Sequence, residues 1–250
     1  MRHLIIDIES YLYKSITASK TLVKLNNKSK IYVEGYDVDK ALTYIKENVD
    51  RLCYELGTNS FELVVGDKNN FRKELNPQYK ANREAKPQIY FEIWKETNKQ
   101  FGFASLTNLE GDDTCRIMYE DKNYHPDKEK IIVSIDKDFF TVPCKFYRDL
   151  PSNTEGIIDI SKKEAEQNLF KQIITGDNAD NYKGIPNFGI KKVEQFWEEH
   201  NQSVNAADVL QLFKDNGLTG EDYVMNKCMA RIVSIKQYNF DTGKVDLNKE

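Results

Sequence analysis

Apolar runs that end on an acid recur along this chain and limit the folds open to it. "HLIIDI" (3–8) leads to Asp7, "FELVVGD" (61–67) to Asp67, and "KIIVSIDKD" (130–138) to Asp136 and Asp138. A short continuous apolar run bounded by polar residues is the pattern of a strand covered on both faces. Between these runs the apolar spacing turns helical, as in Val38, Ala41, Leu42, Ile45, Val49, Leu52 and Leu56. "PQIYFEIWKETNKQFG" (87–102) reads as a helix opened by proline, and "DDTCRIMYED" (112–121) as another. Further strands are expected over Ala104–Leu109 and over "CKFYRD" (144–149). Strand and helix in alternation predict an α/β fold with a mainly parallel central sheet flanked by helices.

Beyond Asp159 the spacing is helical in "SKKEAEQNLFKQIIT" (161–175), "KKVEQFWEEH" (191–200), "AADVLQLFKDN" (206–216) and "DYVMNKCMARIVSIKQYNF" (222–240). The chain therefore divides into an α/β part, 1–155, and a helical part, 156–250. With 40% hydrophobic residues among 250, it can bury a sizeable core. No apolar run of about 18 residues exists to span a membrane. The start, "MRHLIIDIES", lacks the features of a signal peptide, so a cytoplasmic protein is expected. Four scattered cysteines without a CxxC, and three histidines, argue against a zinc site or a disulfide framework.

In an open parallel sheet the carboxyl ends of the strands share one edge, where ligands bind. Asp7, Asp67, Asp136 and Asp138 fall there, as does the group Glu110, Asp112 and Asp113 after the expected strand at 104–109. Asp177 and Asp180 follow in "TGDNADNYKGIPNFGIKK" (175–192). Taken singly, Asp112 or Asp113 reads as a helix cap, and Asp177 and Asp180 as Asx-turn residues. Together, so many like charges on one edge need a cation. All-oxygen donors select Mg²⁺ or Mn²⁺. Two such ions about 4 Å apart are the usual device for attack of water on a phosphodiester.

The net charge is −4, yet Asp67–Lys86 carries six basic residues against three acidic. In "FRKELNPQYKANREAKP" (71–87), Arg72, Lys73, Lys80, Arg83 and Lys86 interleave with Phe71 and Tyr79. This reads either as a solvated face or as a nucleic-acid contact. In the second reading Lys80 and Arg83, three apart, share a helix face and point at a phosphate, while Tyr79 stacks on a base at a frayed strand end. In the 175–192 segment, glycines let backbone N–H groups approach an anion. The following helix N-terminus, with Lys191 and Lys192, favours one.

"GDKNNFRKELNPQYKANR", "LEGDD", "SIDKDF" and "TGDNADNYKGIPNFGIKK", in this order, resemble the flap-endonuclease-like 5′-nuclease family. The resemblance runs from Leu4 to Phe240 and is greatest to the 5′–3′ exonucleases of small tailed bacteriophages, to which "MARIVSIKQYNF" (229–240) is also similar. It implies a Mg²⁺-dependent 5′–3′ exonuclease, with flap-endonuclease and RNase H-like activity as further family properties. The nine acids Asp7, Asp67, Glu110, Asp112, Asp113, Asp136, Asp138, Asp177 and Asp180 match its metal ligands. Glu110, Asp112, Asp136 and Asp138 match those nearest the first ion; Asp177 and Asp180 lie on the second-ion side. Lys80 and Arg83 match the basic pair at the scissile phosphate, acting with Asp136 and Asp138 in catalysis. The loop with Gly184, Ile185 and Gly189 matches a helix–three-turn–helix that grips duplex DNA by its backbone, often with K⁺. The implied partners are duplex DNA with 5′ ends, nicks, gaps or flaps, and RNA–DNA hybrids. The chain is expected to act as a monomer, in the host cytoplasm if phage-encoded.

One departure bears on substrate choice: only a helix and a strand fit between Arg83 and Glu110, where many members carry a long helical arch. Three other readings compete: a non-catalytic nucleic-acid-binding relative, a PIN-like ribonuclease, and an aspartyl-nucleophile phosphatase using Asp7 and Glu9.

Overall fold

The computed structural model describes residues 1–24 and 32–249. β1 (Arg2–Asp7) leads into α1 (Glu9–Ala18), and a two-stranded ribbon, β2 (Lys20–Lys24) and β3 (Tyr32–Tyr36), into α2 (Val38–Glu55). Next come β4 (Phe61–Val64), α3 (Phe71–Leu75), α4 (Gln88–Phe101) and α5 (Gly111–Glu120). β5 (Glu129–Ser134), a 3-10 turn (Lys137–Thr141), β6 (Lys145–Arg148) and β7 (Ile157–Asp159) complete the sheet. α6 (Lys162–Thr175), β8 (Gly176–Asp177), β9 (Tyr182–Lys183), α7 (Ile190–Glu199), α8 (Ala206–Asp215) and α9 (Gly220–Ala230) follow, then β10 (Tyr238–Asn239) and β11 (Lys244–Val245).

The central sheet has the order β4-β1-β5-β6-β7. β4, β1, β5 and β6 run parallel; β7 is an antiparallel edge. Alternation along β1 sends Leu4 and Ile6 to one face and Ile5 to the other. The first face packs on α1, α2 and α4 through Leu12, Ile45, Leu52 and Ile93. The second packs on α5, the 3-10 turn and α6 through Cys115, Phe139 and Ala165. Both faces are covered, which is why the strands read as unbroken apolar runs.

The helices after β7 build their own core from Ile173, Val193, Phe196, Trp197, Val209 and Phe213. The two parts interlock. β7 lies past residue 155 but joins the sheet, Ile232 enters the core under α5, and Tyr79 is buried among the C-terminal helices.

Several expected elements differ. Ala104–Leu109 is no strand: Ala104 alone bridges Val64, and the chain then turns toward Glu110. The last helix ends at Ala230 rather than Phe240: the Arg231 and Ile232 carbonyls accept from Arg72 and Arg116, the Val233 and Ile235 amides donate to Asp113 and Glu120, and a 3-10 turn (Ile235–Gln237) follows. α1 and the β2–β3 ribbon carry no strong periodic signal and are not anticipated. Among the described residues no helix is long and apolar enough to cross a membrane.

Candidate metal centre

Each acid reaches the sheet edge for a local reason. Asp7 ends β1, accepts from Ser134 Oγ at 2.9 Å, and takes the Glu9 amide at 3.3 Å. Ser134 is fully buried at the end of β5 and also receives the Asp136 amide, so one hydroxyl aligns two strand ends. Asp136 is exposed and caps the 3-10 turn by accepting from the Asp138 amide at 2.9 Å. Asp67 accepts from the amides of Lys68 and Asn108, and its own amide donates to Leu109, which steers the chain into α5. There β4 and α5 meet backbone to backbone. A Cβ on Gly66 would lie 3.1 Å from the Gly111 nitrogen, so the glycines of "GD" and "EGDD" set this approach.

One oxygen from each of Glu110, Asp112 and Asp113 lies within 4.8 Å of the others. Their surroundings differ. Asp113 is fully buried and its two oxygens receive four donors: both Arg72 terminal nitrogens (2.7 and 2.8 Å), the Glu110 amide (3.1 Å) and the Val233 amide (2.7 Å). That leaves it no lone pair for an ion, so it is the counterion of Arg72 and the cap of α5. Glu110 faces the opening and is shared by Lys80 Nζ, Arg72 (3.1 Å) and the Tyr79 hydroxyl (2.8 Å). Asp112 accepts its neighbour's amide, at 2.8 Å, and no further donor among the described residues.

On the opposite side Asp177 accepts from the amides of Ala179 and Asp180. The Asp180 carboxylate receives Tyr79 Oη at 2.9 Å and Arg83 Nη2, and Lys80 Nζ lies 3.6 Å away. The 76–83 loop is laced to the 178–181 loop by three further bonds: Lys80 N–H to Asp180 O (2.9 Å), Asn181 Nδ2 to Gln78 O (2.7 Å) and Asn82 Nδ2 to Asn178 O (3.0 Å). Lys80 and Arg83 thus span the gap between Glu110 and Asp180. They do so from consecutive turns, with Lys80 at φ +56°, and not from the helix face expected.

The charge balance is uneven. Burial pushes Asp7 up to about 7, with Glu9 and Asp136 adding to the effect. Burial, then Asp136 and Asp177, raise Asp138 to about 6. Asp112 is raised by burial and by Asp113 and Glu110. Burial also acts against ionised Glu110, but Arg72 and Lys80 outweigh it and hold that carboxyl below its usual range. The edge therefore resists carrying all its negative charge without more cation, and its open donors are oxygens.

Three expected nucleic-acid contacts, Arg72, Tyr79 and Ile185, are overturned by burial. Arg72 is 1% exposed and locked to Asp113; Tyr79 is 2% exposed and cannot stack on a base. Ile185 sits in the helical core and its amide donates to Ile174 O at 2.8 Å. Gly184 packs on the α6 terminus, where a Cβ would stand 2.1 Å from the same oxygen. Gly189 remains open at the N-cap of α7, followed by exposed Lys191 and Lys192, and Lys73 and Arg83 are exposed. Lys86 lies over the Tyr90 ring and 3.8 Å from Glu9. Sequence reasoning missed Ser134 and Glu9 as supports of this edge; Glu9 Oε1 accepts the Gly66 amide at 3.3 Å. Their only local signal is a polar residue at the end of an apolar run.

Fold and site together define a phage-like 5′-nuclease, an enzyme. Residues 2–169 match the family described as "5′-3′ exonuclease, N-terminal resolvase-like domain". The chain is 30% identical to the exodeoxyribonuclease of Enterobacteria phage T3 over 212 residues, 71% of this chain and 69% of that one. It is 30% identical to the exonuclease of Escherichia phage T7 over 213 residues, 71% and 70% of the two chains. The fold is similar to that of T5 D15 protein co-crystallized with metal ions, with a TM-score of 0.66 at 16% identity, covering 92% of this chain and 89% of that one. The chain belongs to the 5′-3′ exonuclease family.

Proposed function

We propose that this enzyme hydrolyses phosphodiester bonds at the 5′ ends of duplex DNA with two Mg²⁺ ions, Mn²⁺ substituting. Lys80 carries the reading: its ammonium lies against both Glu110 and Asp180, so the carboxylates on two sides of the gap already share one cation. Glu110, Asp112, Asp136 and Asp138 would hold one ion, and Asp177 and Asp180, with Asp138 between, the other. Asp7 and Asp67 support the edge, and Asp113 serves as the Arg72 counterion. When bound, the ions supply a water of lowered pKa and charge for the leaving oxygen. Lys80 and Arg83, released from Glu110 and Asp180, would hold the scissile phosphate by its non-bridging oxygens.

Lys191, Lys192 and the open α7 N-terminus at Gly189 would grip the duplex backbone, with K⁺ a further ligand of that loop. Backbone gripping reads no bases, so cleavage would follow DNA ends rather than sequence. The route from Arg83 to Glu110 favours an open site over a threading arch. Only four residues separate Arg83 from α4, and α4 buries Tyr90, Ile93 and Thr97 against its neighbours. Gapped ends and RNA–DNA hybrids fit such a site. The chain would act as a monomer in phage DNA replication, recombination or host-DNA breakdown.

Duplex DNA labelled at the 5′ end, incubated with Mg²⁺ or with EDTA, tests this. Metal-dependent release of labelled mono- or short oligonucleotides is expected. Binding without cleavage in Mg²⁺ and Mn²⁺ would bring the non-catalytic reading forward.

A further inference from the structure

Directly after α9, and before the 3-10 turn Ile235–Gln237, the backbone is held by side chains from other elements. Arg72 Nη2 donates to Arg231 O at 2.7 Å, and Arg116 Nη1 to Ile232 O at 2.6 Å. The Val233 amide donates to Asp113 Oδ1 at 2.7 Å, and the Ile235 amide to Glu120 Oε2 at 2.8 Å. Asp113, Arg116 and Glu120 stand at i, i+3 and i+7 on α5, one helical face. Val233 is fully buried beside Leu109 and Ile117, and Tyr238 Oη reaches Thr107 O at 3.1 Å, so the strap also backs the turn that delivers Glu110.

We infer that Arg72 and Asp113 are a positioning pair through which the strap 231–235 sets where Glu110 and Asp112 stand, and so tunes the affinity of the carboxylate edge for divalent metal. The Arg72 guanidinium touches the strap carbonyl, Asp113 and Glu110 at once, while its Nε has no hydrogen-bond partner among the described residues. A planar fork can make these contacts together; a lysine cannot. Losing a partner that orients a metal ligand typically costs about 10–100-fold in metal affinity or activity. The strap lies outside residues 2–169, the stretch that matches the family model. The inference rests on the reading of Glu110 and Asp112 as metal ligands.

The test is Mn²⁺ binding to the DNA-free full chain, followed by electron paramagnetic resonance, with thermal melting and duplex binding in EDTA measured on the same samples. Arg72→Lys is expected to weaken Mn²⁺ about tenfold or more, with a cooperative melt and unchanged duplex binding. Cleavage should recover at high metal concentration, a rescue that general loss of structure would not allow. If Arg72→Lys does not fold, Arg116→Gln decides, since it loosens the strap without touching Glu110, Asp112 or Asp113; a weakening of about threefold is expected. A folded Arg72→Lys, or failing that Arg116→Gln, with wild-type Mn²⁺ affinity overturns the strap's role alone. Absence of Mn²⁺ binding in the wild type overturns the metal reading and the inference with it.

Discussion

The Lys80 amide donates to the Asp180 carbonyl at 2.9 Å while the Lys80 ammonium lies against Glu110, so one residue joins the two sides of the carboxylate edge by backbone and by side chain. Its backbone sits at a left-handed φ of +56°. A non-glycine residue in that region is held there at a cost by its surroundings, here three bonds between two loops.

If Lys80 holds the scissile phosphate as proposed, Lys80→Ala should slow cleavage by about a hundredfold or more, because it removes that donor. Duplex affinity in EDTA should change less than about threefold, since the anchor proposed at α7 is untouched. Single-turnover cleavage beside equilibrium binding checks this. Equal losses in both would make Lys80 a binding residue only.

Asp136→Ala should abolish cleavage and leave the fold intact. The carboxylate is exposed, and its structural duty is one cap bond to the Asp138 amide. Losing such a cap costs about 1 kcal/mol. Retained turnover with Mg²⁺ would remove Asp136 from the ligand set.

Gly184→Ala and Gly189→Ala should separate packing from anion binding. A Cβ at Gly184 would press to 2.1 Å from Ile174 O, a backbone atom that cannot yield, and a loss of about 3 kcal/mol is expected. At Gly189 nothing lies within 4 Å and φ is −79°, so stability should stay within about 0.5 kcal/mol. Denaturant unfolding of the two variants checks this; similar losses would contradict the assignment.

His3 should make the fold acid-sensitive. It is 1% exposed at the opposite edge of the sheet, between Ser60 Oγ at 2.7 Å and Tyr124 Oη at 2.9 Å, with its ring centre 3.8 Å from that of His125. Burial, then His125 and nearby lysines, lower it from 6.5 to about 4. Between those values the unfolded chain binds the extra proton, so its contribution is full above pH 6.5 and fades as pH falls toward 4, by up to about 3 kcal/mol. Melting of wild type and His3→Gln from pH 7.5 to 4.5 should show a gap that narrows with acid; a constant gap would dismiss the mechanism.

Lys191→Ala and Lys192→Ala should each reduce the slope of log affinity against log salt by about 0.9 for duplex DNA, with equal effect on unrelated sequences. An unchanged slope would take them out of the anchor.

Local pattern alone determined much of this protein. Apolar runs closed by Asp7, Asp67 and Asp136 marked parallel strands and the edge where their acids gather, because strand burial and chain direction are written into consecutive residues. The helical stretches 38–55, 88–101, 111–120 and 162–175 were legible for the same reason. What a charged or aromatic side chain does there was decided only by partners distant in the chain. Arg72 and Tyr79 have the composition of a DNA contact, yet Asp113, Arg231 and Asp180 neutralise or cover them. Gly184 and Ile185 read as a phosphate cradle, but Ile174 O takes the amide and the space. Residues 231–235 have helical spacing, and α5 captures their backbone instead. A buried polar group must find its partner wherever the tertiary fold supplies one, and periodicity does not encode that choice.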